Sequence, residues 1–367
     1  MSKFNRREFL KNAAGASAGM WVMGSGRSAM KVALGSPQGQ AAAPVTRRQV
    51  SVADKRVKVV DIHAHCTIPE VADVIKGTPL ERAGGGRAQL LGADRIQALD
   101  QRGIDLQVVH INGFWWYAAD RDLAAKIVTT HNEGLAKWCS AHSDRFAALT
   151  SVALQFPDLA AEQLETAVKQ MGMKGAAIGG HVAGEPLSMP KYDPFWAKAE
   201  ELGVVVFMHP GGATNVVKED GLKGAGDLGN IIGDPLETTV FMSHLIYEGT
   251  LDKFPGLKIV GAHAGGYIPS YIGRTDVACD VRPNAKCVNK KHPSEYFKGQ
   301  LMTDAMIFTD EGLRHLVAQL GADHVMYGTD IPFNWPDNVD MILNASYLNN
   351  AEKEAILGGN SVKLLKL

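Results

Sequence analysis

Residues 59–66 read VVDIHAHC. The run begins as a buried strand would and then places His63 and His65 two positions apart. Successive strand side chains point to opposite faces, so these two imidazoles stand on one side, about 7 Å apart along the backbone. Both can reach one metal ion. Other apolar runs end in the same kind of residue: GVVVFMH (203–209) in His209, LKIVGAH (257–263) in His263 and HVMYGTD (324–330) in Asp330. Four imidazoles and one carboxylate suit a divalent cation with a position left open for water or substrate. A single histidine at a strand end is more often a hydrogen-bonded structural residue. Five such groups converging make a site.

A repeating pair of elements must bring them together. Eight short β-rich runs can be read: VKVVDI, DLQVVHI (105–111), FAALTSV (146–152), KGAAIGG (174–180), the 203–209 and 257–263 runs, QLMTD (300–304) and the 324–330 run. Between them lie segments of helical period such as ADRIQALDQRG, PDLAAEQLETAVKQMG and DEGLRHLVAQLG, several of which stop at glycine. Nearly continuous hydrophobic strands, each followed by a helix, predict a parallel sheet covered by helices. Eight such units predict an α/β fold of the closed (β/α)8 TIM-barrel type, with a doubly wound open sheet as the alternative. Barrel enzymes carry their active-site residues at the C-terminal ends of different strands, which is where His63, His65, His209, His263 and Asp330 fall. The weakly patterned segments 76–92, 211–230 and 280–293 follow strands or short helices, as substrate loops do.

Composition narrows the partners. Among 367 residues, 38 Lys and Arg balance 39 Asp and Glu with no charge run, which argues against a nucleic-acid face and for a small-molecule partner. The cysteines Cys66, Cys139, Cys279 and Cys287 form neither a disulfide framework nor a structural zinc motif, although Cys279 and Cys287 could pair in an oxidising compartment. At the N-terminus, NRREFLK precedes a mild apolar stretch too short and glycine-rich to span a bilayer, and Ala41 and Ala43 supply a small-residue cleavage pattern. This resembles a twin-arginine secretion signal with Arg6 and Arg7 as the paired arginines, Asn5 standing where Ser or Thr is usual. The expected organisation is a signal and processing region over 1–43, a linker over 44–56 and one barrel over 57–367. Export to the periplasm or cell exterior follows as an expectation, with the twin-arginine machinery as a partner.

The motifs DIHAH, MHP, LETT, FPGLKIVGAHAGGYIPSYIGR, TDA and YGTDIPF together resemble the amidohydrolase superfamily. The resemblance is to its amidohydrolase-related branch, which contains aminocarboxymuconate-semialdehyde, resorcylate and carboxyvanillate decarboxylases, and it covers nearly all of the body. It implies His63, His65, His209 and Asp330 as metal ligands and His263 as a general acid/base beside the metal. Arg274 matches an arginine that reaches a neighbouring subunit's site to hold a substrate carboxylate, so a homodimer is implied. Glu237 of LETT reads as structural or capping. Some positions depart from the pattern: Gly211 and Gly212 follow HP where the decarboxylase has tryptophan, and AHGGG is AHAGG here, with Ala264. A second carboxylate-binding arginine would be Arg82 or Arg87.

Near the strand ends, Trp115, Trp116 and Tyr117 could stack on a planar ring or anchor a loop. His181, in a stretch resembling the family's GTHV, ranks above His110 as pocket lining. The implied activity is metal-dependent decarboxylation of an aromatic or unsaturated carboxylic acid. The same parts could hydrolyse or hydrate an amide, lactone or unsaturated acid, and a non-catalytic acid-binding barrel is a third reading. The binuclear members usually carry a carbamylated lysine at the end of the fourth strand. Here Lys174 only begins that strand, so one divalent ion per subunit is expected, zinc first and manganese as the alternative.

Overall fold

The computed structural model of the protein describes residues 46–81, 89–111, 115–218 and 220–367. Within them eight barrel strands follow one another in chain order: β1 (Val60–His65), β2 (Leu106–His110), β3 (Phe146–Ala148), β4 (Gly175–Ile178), β5 (Val205–Met208), β6 (Lys258–Gly261), β7 (Leu301–Asp304) and β8 (Val325–Met326). β1 to β3 pair in parallel, as do β4 to β8. Two parallel bridges close the ring, Thr150 with Ala176 between β3 and β4, and Ala64 with Ile331 between β1 and the end of β8. The fold is therefore the predicted TIM barrel rather than the open sheet.

Every barrel-strand residue except Lys258 is buried, which explains why these sequences lack the alternation of a half-exposed strand. Outside them lie α1 (Ala93–Arg102), α2 (Arg121–Ala141), α3 (Pro157–Met171), α4 (Asp193–Leu202), α5 (Asp234–Tyr247), α6 (Ile268–Val281), α7 (Asp310–Leu320) and α8 (Asn360–Leu365). Local chemistry sets several boundaries. The Asp120 side chain accepts from Leu123 N at 3.0 Å to start α2, and Thr309 accepts from Gly312 N at 3.1 Å to start α7. Gly103 ends α1 at φ 76°, a left-handed conformation that favours glycine.

One boundary differs from expectation. Of the stretch expected as a linker, residues 46–56 pack on the barrel: Ser51–Val52 pairs antiparallel with Lys55–Arg56, Val50 and Val52 are buried, and Arg47 lies 2.8 Å from Asp105. Strands of two residues are too short for period counting to detect. A disulfide joins Cys279 to Cys287 across the C-terminal end of α6, while Cys66 and Cys139 are free. Among the described residues no helix is long and apolar enough to cross a membrane. The proposed signal over 1–43 and both loop arginines, Arg82 and Arg87, lie outside the described residues.

Candidate metal centre

The barrel's closing seam runs through the residues that the strand ends supply. Ile62 N donates to Tyr327 O at 3.1 Å, Asp330 N to His63 O at 2.7 Å and His65 N to Ile331 O at 2.7 Å. Backbone pairing between β1 and the end of β8 thus fixes two histidines and a carboxylate against one another. β1 also shifts register between Asp61 and Ala64, and such irregularities re-aim side chains at sites.

His63, His65, His209 and Asp330 are all buried, with one donor atom from each within 4.8 Å of the others. His63 Nε2 is 3.1 Å from His65 Nε2 and 3.3 Å from Asp330 Oδ1, and His65 Nε2 is 2.8 Å from the same oxygen. Donors held about 2.0–2.2 Å from one ion stand roughly 3–4 Å apart, so the quartet has the right size. Two outer nitrogens are already engaged: His63 Nδ1 bonds Asp304 Oδ2 at 2.7 Å and His209 Nδ1 bonds the Pro210 carbonyl at 2.9 Å. Such partners fix the tautomer and turn the Nε2 lone pair inward. Among the described residues, His209 Nε2 is buried without a hydrogen-bond partner, as a ligand atom awaiting a cation would be. The residues present therefore fit a divalent metal.

Electrostatics agree with that fit. Burial opposes charge on His63, yet Asp330 and Asp304 push it up to about 10. Burial works against Asp330 too, but His63 and His65 hold it well below the usual carboxylate range. Burial and the adjacent His65 and His63 push His209 well down.

His263 follows β6 and lies with its Nε2 3.9 Å from Asp330 Oδ2. Burial, then the charge on His63, pushes it down to about 4. His263 and Ala264, both at φ 56°, and Asp330, at φ 58°, are left-handed without being glycine. Each costs roughly 1–2 kcal/mol, a strain that surrounding contacts must offset.

Two further residues join the cluster. Asp304 is fully buried at the end of β7, and the strand-end rule that found the histidines would have found it. His110, placed below His181 in the sequence reading, is fully buried with its ring 4.8 Å from that of His65. His181 instead sits half-buried in a short hairpin, its Nδ1 accepting from Gly184 N at 3.0 Å. Trp115 is buried, stacked on Tyr117 at 6.3 Å and close against Gly179 after β4, so it forms wall rather than rim. Arg274 is exposed on α6 and has no side-chain partner among the described residues.

α5 contributes two carboxyls. Glu237 accepts from Gly180 N (3.1 Å), Gly211 N (2.9 Å) and Ala213 N (2.8 Å), tying the loops after β4 and β5 together in the structural role expected of it. Asp234 is pushed up to about 8 by burial and by the charges of Glu237, Asp330 and Asp227.

Comparison with known proteins places this geometry. Residues 60–367 match the family described as Amidohydrolase. The 2-amino-3-carboxymuconate-6-semialdehyde decarboxylase of Dictyostelium discoideum is 31% identical over 281 residues, covering 74% of this chain and 76% of that protein. The gamma-resorcylate decarboxylase of Rhodococcus jostii (strain RHA1) is 30% identical over 326 residues, covering 83% and 98%. Among solved structures, 5-carboxyvanillate decarboxylase from Novosphingobium aromaticivorans, complexed with manganese and 4-hydroxy-3-methoxy-5-nitrobenzoic acid, superimposes with a TM-score of 0.75 at 24% identity, covering 85% of this chain and 96% of that one.

Proposed function

This chain belongs to the amidohydrolase family, and we propose on that footing that it is a metal-dependent carboxy-lyase acting on an aromatic or unsaturated carboxylic acid. The observation that carries the reading is the buried His63, His65, His209 and Asp330 quartet at the C-terminal rim of a barrel whose relatives are decarboxylases. These four residues would hold one divalent ion. When bound, such an ion supplies Lewis acidity for a substrate oxygen and stabilises the charge that develops as carbon dioxide leaves. Three imidazoles and a carboxylate favour zinc; manganese, present in the Novosphingobium structure, is the alternative that elemental analysis separates.

The chain's own residues do the rest. In the reaction the bond to the carboxylate carbon breaks, its electron pair stays on the carbon skeleton, and a proton takes the place of carbon dioxide. His263 is the group that holds and moves this proton, its Nε2 standing 3.9 Å from Asp330 Oδ2 at the edge of the donor quartet. Arg274 grips the substrate carboxylate with its planar guanidinium. Its exposure fits delivery to the site of a second copy, and the homodimer gains support from Tyr271, Val277 and Val281, exposed apolar residues on the same helix. His181 and Trp115 act further out, in the pocket wall.

Export through the twin-arginine route to the periplasm or cell exterior is part of the same proposal. The Cys279–Cys287 disulfide, a bond that persists in oxidising compartments, supports it. The test of function is carbon dioxide release by purified protein against a panel of hydroxybenzoates and unsaturated acids, with lactones and amides alongside. Release from at least one acid is expected. Turnover confined to the lactones or amides would replace the carboxy-lyase with a hydrolase.

A further inference from the structure

We propose that Asp304 is a positioning residue that sets, with one carboxylate, both the ring of His63 and the left-handed turn that carries His263. The inference rests on the metal-site reading above and deepens it. Asp304 is fully buried and accepts four hydrogen bonds. Oδ2 accepts from His63 Nδ1 at 2.7 Å and His263 N at 3.0 Å. Oδ1 accepts from Ala264 N at 2.8 Å and Met306 N at 3.0 Å.

Successive backbone N–H groups that converge on one concavity form a nest that binds an anion. His263 (φ 56°, ψ 54°), Ala264 (φ 56°, ψ 28°) and Gly265 (φ 73°) form a left-handed run whose first two N–H groups converge in this way. The Asp304 carboxylate fills its opening. Two members of the run carry a Cβ and do not adopt this conformation freely, so the anion is what holds them there.

The same carboxylate faces His63. An ionised carboxylate only accepts, so it keeps a proton on His63 Nδ1 and leaves Nε2 bare for metal. There is no slack between the two side chains: a Cβ on Gly328 would lie 2.9 Å from His63 Cβ and 3.0 Å from Asp304 Cβ. Asp304 thereby joins the metal half of the site, on β1, to the proton-transfer half after β6.

The two roles separate by mutation. Asp304→Asn keeps the size but gives the site an amide donor and removes the charge. Donation to His63 Nδ1 would move the ring proton to Nε2, and metal affinity should fall roughly 10–100-fold. Loss of the anion loosens the turn, and kcat at saturating metal should fall about 10-fold further as His263 drifts. Adding Ala264→Gly to this variant removes one left-handed penalty, so it should recover about 3-fold of kcat and none of the metal affinity.

The experiment measures zinc affinity by chelator competition, kcat at saturating zinc, and the His63 ring tautomer by 15N NMR on zinc-loaded protein. It compares the wild type, Asp304→Asn and Asp304→Asn with Ala264→Gly. The split just described, with Nδ1–H in the wild type, is the expected result. Unchanged zinc affinity and tautomer in Asp304→Asn would overturn the proposal, as would recovery of affinity together with kcat. If Asp304→Asn does not fold, the wild-type spectrum decides: a proton on Nε2 of His63 overturns it. A wild type that binds no zinc would instead sink the metal reading. A zinc-binding wild type that releases no carbon dioxide would sink the decarboxylase reading and leave affinity and tautomer to judge Asp304.

Discussion

The rim of the barrel and the outer face of α6 are built on opposite terms. At the rim, His63, His65 and Asp304 are fully buried, and hydrogen bonds from β6, β7 and the end of β8 hold them from several sides. On α6, Tyr271 is 60% and Val281 68% exposed, and Arg274 has no side-chain partner among the described residues. One region is over-determined by its own chain. The other, in the proposed dimer, would be finished by a second copy. The metal site should therefore survive changes that abolish assembly, whereas the grip on substrate should not.

The largest effect should come from breaking the rim. His63→Ala removes a ligand and should abolish metal binding, lowering carbon dioxide release at least about 10³-fold, since the ion contributes several kcal/mol of charge stabilisation. Elemental analysis and turnover on one preparation check both. Next, Arg274→Ala should leave metal content unchanged and lower kcat/KM roughly 10–100-fold, the worth of a charge-assisted bidentate contact. Co-expression with His263→Ala sharpens the comparison. If the arginine acts across a twofold interface, mixed dimers contain one intact site and about a quarter of wild-type activity returns. No recovery would place Arg274 in its own subunit's site.

Tyr271→Asp with Val277→Asp should shift the protein from dimer to monomer in analytical ultracentrifugation while metal content stays constant. Metal loss on dissociation would contradict the self-sufficiency of the rim.

The smallest effect is a pH dependence set by Asp234. Its carboxyl is pushed up to about 8 in the folded protein, against roughly 4 when unfolded. The native state therefore prefers the protonated form. The stability this contributes is present below about pH 4 and is lost as pH rises through about 8. The melting temperature of the metal-free protein should fall between pH 5 and about 8 more steeply than that of Asp234→Asn. Parallel curves would show that Asp234 is ionised in the fold.

Much of this was legible in the sequence, and for definite reasons. Continuous apolar runs and glycine stops gave the eight strands and most of the helices, because both reflect burial and local backbone chemistry. The donor quartet was legible because a strand-end position translates directly into a place on the rim. Asp304 stood at a strand end by the same rule, but its role was hidden, since that shows only in contacts with residues 241 and 41 positions away. The left-handed backbone of His263 and Ala264 was hidden too, because neither is a residue that advertises such a conformation. His110 was ranked below His181 on motif resemblance, and its strand-end position is what sets its ring 4.8 Å from that of His65.

One ion held by His63, His65, His209 and Asp330 should be what makes the barrel a carboxy-lyase. This is tested most directly by stripping the purified protein with a chelator and titrating zinc or manganese back while following carbon dioxide release from an acid it turns over. The account predicts no release from the stripped protein and a linear return that levels at one ion per subunit. Release that persists without metal, or that rises only to a second equivalent, would contradict it.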